Sequence, residues 1–185
     1  LCQRIYHKHQ RALDLIYEHR PDLQERIRAL LVSLVEEAPG LHPDRSTKTY
    51  IRFVAREWDS PALRQGSGWT PSGRMLLFEF ENAPRHLKLK LIIGPGPKEI
   101  RQKLHELAHR SAVLTAFRAL AGKWNTIFLR DLLRAEDYDG ASADDLEDLI
   151  REHWSHFLQS DLPRINETVA AERWIWEPPS NERSA

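Results

Sequence analysis

The chain has 185 residues and a mass of 21.6 kDa, enough for one large domain or two small ones with a buried core that needs neither disulfides nor metal. Its 27 basic and 27 acidic residues cancel, so bulk charge selects no polyanionic partner, but the distribution is uneven. Residues 1–110 carry 19 basic and 13 acidic side chains, a net +6, and residues 111–185 carry 8 and 14, a net −6. No apolar run approaches the roughly 18 residues that span a bilayer, which excludes membrane insertion. The single cysteine, Cys2, excludes an internal disulfide and a Cys-based zinc site. The chain opens Leu1-Cys2-Gln3-Arg4, without an initiator Met and without a signal peptide, as expected of an excised piece of a cytoplasmic protein.

Apolar residues at loose helical spacing predict a helix over residues 3–19, closed by Pro21 and read as the end of an upstream region. A stronger helix follows, with Leu23, Ile27, Leu30, Leu31, Leu34 and Val35 on one stripe and Pro39-Gly40 as its stop. At Thr47 the period changes to two. Ile51, Phe53 and Ala55 alternate with Lys48, Tyr50, Arg52 and Arg56, the signature of a strand with one buried face. Residues 59–74 hold two Pro, three Gly and three Ser with no period, an irregular excursion carrying Trp69. Alternation resumes over residues 75–82 and 86–93, separated by the turn Ala83-Pro84-Arg85 and ended by Gly94-Pro95-Gly96, so three strands form an antiparallel meander. A helix opens at Pro97 with Ile100, Leu104, Leu107 and Ser111 inward, and a second helical piece covers 113–121. Residues 123–130 read as a fourth strand, with a helix start as the alternative. Ser142 and Asp145 open a helix through Gln159, and a separate last helix runs over 161–172 with Pro163 in its first turn. The expected architecture is α+β: a small antiparallel sheet covered by helices, with a helical C-terminal part. Residues 1–21 form an N-terminal segment, 22–173 the domain, and 174–185 a polar tail.

Four groups of residues invite a chemical reading. His105-Glu106-Leu107-Ala108-His109 matches H-E-x-x-H, whose paired imidazoles can hold zinc. At about 100° per residue, however, both histidines fall away from the apolar line and face water, with no marked third ligand, so no metal is assigned. Gly94-Pro95-Gly96-Pro97-Lys98 sits between strand and helix like a phosphate loop, but its prolines lack the N–H groups such a loop uses, and it reads as a rigid turn. The acidic run Asp137, Asp139, Asp144, Asp145, Glu147 and Asp148 lacks calcium-loop spacing and reads as helix-capping acids. The fourth group is the outward face of the meander, where Lys48, Tyr50, Arg52, Arg56, Lys88 and Lys90 accompany Glu79 and Glu81. Two readings fit: a solvated lattice of cross-strand pairs, or a basic and aromatic platform for a nucleic-acid backbone, with Trp58 or Trp69 as further stacking rings.

Three segments carry a family likeness. They are Thr47-Lys48-Thr49-Tyr50-Ile51-Arg52-Phe53 with Trp58-Asp59, then Leu76-Leu77-Phe78-Glu79-Phe80, then Leu89-Lys90-Leu91-Ile92-Ile93-Gly94-Pro95-Gly96 leading to Ile100-Arg101. Together they resemble the C-terminal region of bacterial proteins in the PD-(D/E)XK nuclease superfamily. Trp154 with Phe157-Leu158 and Asp161-Leu162-Pro163 is similar to the end of that region, so the likeness spans roughly residues 22–172. The resemblance implies a parent that cleaves nucleic acid with magnesium, held by a Pro-Asp carboxylate and a D/E-x-K strand. No lysine here has Asp or Glu two positions before it, and Pro21-Asp22 falls at the start of a helix, where Asp22 reads as a cap. No catalytic residue is therefore assigned, and magnesium belongs to the parent rather than to this segment. The expected role is a non-catalytic accessory domain that contacts DNA or RNA or positions an upstream nuclease domain. The alternative is a protein-interaction or dimerisation module with no nucleic-acid role, a homo-oligomer if the +6 and −6 portions meet between molecules, or else with the two portions packed together in one molecule.

Overall fold

The computed structural model describes residues 6, 8–12, 22–116, 119–120 and 122–176. Residues 6 and 8–12 are helical, and the remainder of the helix expected over 3–19 lies outside the described residues, as does Pro21. Helix α1 (Leu23–Glu37) starts where Asp22 accepts a hydrogen bond from the Glu25 N–H at 3.0 Å, and it buries Ile27, Leu30, Leu31, Leu34 and Val35, the stripe its spacing predicts.

Five strands follow in one antiparallel meander: β1 (Leu41–Pro43), β2 (Tyr50–Ala55), β3 (Leu76–Ala83), β4 (His86–Ile93) and β5 (Asn125–Leu133), paired in chain order. The register sets every side chain's face. Ile51 lies opposite Phe80 and Phe53 opposite Phe78 on the inner side, while Tyr50 lies opposite Glu81 and Arg52 opposite Glu79 on the outer side. β5 is the fourth strand expected over residues 123–130, and β1 is one more strand than the sequence marks out. β1 is too short to show a period, and its Pro43 closes an edge. β5 begins at Asn125 and breaks register between Leu91 and Ile92 and again between Leu87 and Lys88. The first irregularity falls at Ile127, so Thr126 and Phe128, two residues apart, lie on opposite faces instead of sharing one.

Helix α2 (Lys98–Arg110) starts one residue after Pro97 and buries Leu104, Leu107 and Ala108. Residues 111–116 are irregular, so the helical piece expected over 113–121 is absent among the described residues there. The C-terminal helices are one continuous rod of 28 residues: α3 (Ala143–His156), a π turn (Phe157–Asp161) and α4 (Leu162–Ala170). Pro163 supplies the reason. It has no N–H for the Gln159 carbonyl, and the wider turn, in which the Leu162 N–H reaches the Phe157 carbonyl, absorbs the missing bond without ending the helix.

The rod and α1 cover the inner face. Phe53 stacks on Phe78 at 5.1 Å between ring centres, Trp154 on Phe157 at 5.2 Å, and Phe157 meets Phe78 edge-on at 5.2 Å. Trp58 joins this core, 5.3 Å from Phe78 and 2% exposed, which removes it from any outer stacking surface. Residues 174–176 pack onto the same body, with Ile175 fully buried. The oppositely charged portions of the chain meet within one molecule: Arg26 pairs with Asp144 and with Glu147, Arg85 with Asp139 at 2.8 Å, and Arg110 with Glu172 at 2.9 Å.

Candidate nucleic-acid interface

The outer face of the sheet is built by the same alternation that fills the core. Arg52 donates from Nε to Glu79 Oε2 at 2.6 Å across the β2–β3 pair, and both side chains are largely buried. Lys90 lies opposite Glu79 in the register and pairs diagonally with Glu81, and Lys88 Nζ stands 3.9 Å from Asp131. Lys48 is not on the strand. It sits in the bend before β2, where its ammonium pairs with Asp22 at the start of α1. Arg56 lies beyond the strand's other end, in the 3₁₀ turn Arg56–Trp58, and donates from Nε to the Leu41 carbonyl at 3.0 Å. Of the six residues singled out in the sequence, Tyr50, Arg52 and Lys90 therefore share one place, and Lys48, Arg56 and Lys88 lie apart from it.

Titration follows this pairing. Burial pushes the Glu79 carboxyl above the usual carboxylate range, against the pull of Arg52. Burial is also the largest single influence on Glu81, but the hydrogen bond from Lys90 together with the charges of Lys90, His86 and Lys88 outweighs it and holds that carboxyl below its ordinary value. The hydrogen bond from Lys48 lowers Asp22.

Residues 59–74 fold back over part of this face and bring Trp69 to it. The fold-back is tied by an ionic knot: Arg74 donates to Asp44 at 2.8 Å and to Asp59 at 3.2 Å, Ser72 donates to Asp44 at 2.6 Å, and Arg64 pairs with Asp59. Hydrogen bonds, first from Arg64 and then from Arg74, hold Asp59 down at about 2. Backbone bonds from Met75 N–H to the Leu63 carbonyl and from Gly66 N–H to the Gly73 carbonyl close the base of the excursion. The Trp69 ring rests against Gly94, where any Cβ would collide with it. This close approach explains the first glycine of the Gly94-Pro95-Gly96 turn, and the second faces the Met75 side chain in the same way.

These elements enclose a recess of about 360 Å³, with Tyr50, Trp69 and Trp124 as its rings and Arg52, Lys90 and Thr126 among its polar walls. The Arg52 guanidinium carbon is 5.2 Å from the centre of the Tyr50 ring and 5.5 Å from that of Trp69. Trp124 is 52% exposed and Tyr50 is 37% exposed. Trp124 was not among the residues the sequence marked, although its position two before the outward Thr126 carries the signal. Trp69 was marked only as a nearby ring, because its place depends on contacts 30 residues away, from Arg74 to Asp44.

The H-E-x-x-H residues lie elsewhere, on α2. His109 is exposed and His105 half-buried, their rings meet edge-on at 4.7 Å, and with Lys98 and Arg101 they border a wide cavity of about 890 Å³. Among the described residues no three His, Cys, Asp or Glu side chains gather where they could hold a metal ion. The sequence contains no D/E-x-K triplet, and no carboxylate cluster among the described residues matches the magnesium site of a PD-(D/E)XK nuclease. Most of the acidic run is engaged within the chain: Asp145 closes a capping box with Ser142, Asp137 accepts from the Arg134 N–H, Asp139 pairs with Arg85, and Asp144 and Glu147 hold the distant Arg26. No helix among the described residues is long and apolar enough to cross a membrane. No family model, curated protein or solved structure matches the chain.

Proposed function

We propose that this chain is a non-catalytic accessory domain of a PD-(D/E)XK nuclease and that it contacts nucleic acid through the outer face of its sheet. The observation that carries the reading is the convergence of Tyr50, Trp69 and Trp124 on one open recess beside Arg52 and Lys90. A sheet presenting rings and cations is the arrangement by which single strands are held, with stacking contributing about 1–3 kcal/mol per base. The cations of the face are mostly paired with Glu79, Glu81 and Asp131, so few phosphates gain a partner and stacking dominates. Sequence supports the non-catalytic part, since no D/E-x-K triplet is present.

Binding of fluorescent DNA and RNA oligonucleotides, followed by anisotropy at several salt concentrations, tests the contact. The expected result is binding whose logarithm falls with log salt at a slope of only about −1 to −2, and which Tyr50→Ala weakens. No detectable affinity at low salt overturns the contact. Incubation of plasmid with the purified chain and Mg²⁺ tests the other half: the plasmid is expected to stay intact, and hydrolysis contradicts the accessory role.

A further inference from the structure

We infer that the recess between Tyr50, Trp69 and Trp124 receives one unpaired nucleobase, so that the domain selects single-stranded nucleic acid over a closed duplex. The inference rests on the reading that the outer face meets nucleic acid, and it names the form of nucleic acid and the part of it that enters. Size is the first argument. At about 360 Å³ the recess is at the small end of ligand pockets, with room for a base and part of its sugar but not for a stacked run.

The chemistry of the walls is the second. Aromatic rings give a planar guest its faces, and Arg52, Lys90, Glu79 and Thr126 supply donors and acceptors at its edges. A cationic guest, the other common occupant of an aromatic enclosure, is disfavoured. The Arg52 guanidinium already lies against Tyr50 and Trp69, and Lys90 lines the same wall. The third argument is electrostatic. A duplex keeps its base faces stacked inside and offers its backbone and groove edges, yet Arg52, Lys88 and Lys90 are each held by a carboxylate of this chain. A duplex therefore gains neither stacking nor many new phosphate contacts, whereas a flexible single strand can turn one base into the recess.

The test compares three labelled ligands of about 12 nucleotides on the full chain: a single strand, its duplex, and a strand whose central nucleotides lack bases. The expected order is single strand tightest, by about tenfold or more over both others. Trp124→Ala is expected to reduce single-strand affinity by about 5- to 100-fold with an unchanged unfolding midpoint, because the ring is exposed. Equal affinity for the three ligands, or for the abasic and intact strands, overturns the single-base recess while leaving nucleic-acid contact standing. An unchanged single-strand affinity in Trp124→Ala overturns the recess as the place of binding. Failure to bind any of the three ligands overturns the underlying reading as well.

Discussion

The inner face of the meander puts Phe53, Phe78 and Phe80 against Trp154 and Phe157, ring on ring, whereas the outer face of the same strands puts Arg52 against Glu79 and leaves Tyr50 and Trp124 in contact with solvent. One alternation produces both. The faces differ in what covers them among the described residues: the inner one has α1 and the 28-residue rod, and part of the outer one has residues 59–74, lashed down at one corner by Arg74. Packing thus makes the inner rings structural, whereas Tyr50 and Trp124 keep part of their surface in solvent.

The contrast can be broken first on the inner side. Phe78→Ala removes a fully buried ring that touches three other aromatics and is expected to cost about 3–5 kcal/mol in chemical denaturation. A loss under about 1 kcal/mol would show that the core is not where the stability lies. Arg74→Met strips the ionic partner from the Asp44 carboxylate, which is almost wholly buried, and is expected to cost about 3 kcal/mol and to move the Trp69 indole N–H resonance in NMR spectra. An unmoved Trp69 resonance would mean that the knot does not position that ring.

Acid sharpens the comparison further. Asp59 sits near 2 when folded and near the ordinary 3.9 when unfolded, so it contributes stability that is complete above about pH 4 and disappears as pH falls toward 2. With solvent screening this is on the order of 1 kcal/mol. Glu79 runs the other way. Its carboxyl is raised in the folded chain, so its favourable contribution is full below the unfolded value and is lost as pH rises through the folded one. In Asp59→Asn the acid-induced loss between pH 4 and 2 is expected to be smaller than in the wild-type chain, and an identical profile would contradict the role given to the knot. The smallest effect is expected on the outer rings, where Tyr50→Ala and Trp124→Ala should each move stability by no more than about 0.5 kcal/mol.

Most of the fold is legible in the sequence because the inner face is strictly periodic: α1, β2, β3, β4 and the rod's stripe of Leu146, Ile150, Trp154 and Phe157 follow from spacing alone. What escapes is set by single local events. Three-residue β1 has no period to read, the irregularity at Ile127 turns Phe128 inward, and the π turn carries the helix past Pro163 where a proline ordinarily signals a new start. The site is half legible. Tyr50, Arg52 and Lys90 stand out as the polar half of an alternation, but the excursion that seats Trp69 is fixed by Arg74 reaching Asp44, a contact between segments whose spacing carries no signal. The pairing of Lys48 with Asp22 is equally invisible, and it removes from the platform a cation that strand alternation assigned to it.

The most direct test uses the chain's own tryptophans. On titration with a single-stranded oligonucleotide, the indole N–H resonances of Trp69 and Trp124 are expected to shift in NMR spectra, while those of the inner-face Trp58 and Trp154 stay in place. Shifts confined to other residues, or none at saturating ligand, would contradict the assignment of the outer face as the nucleic-acid interface.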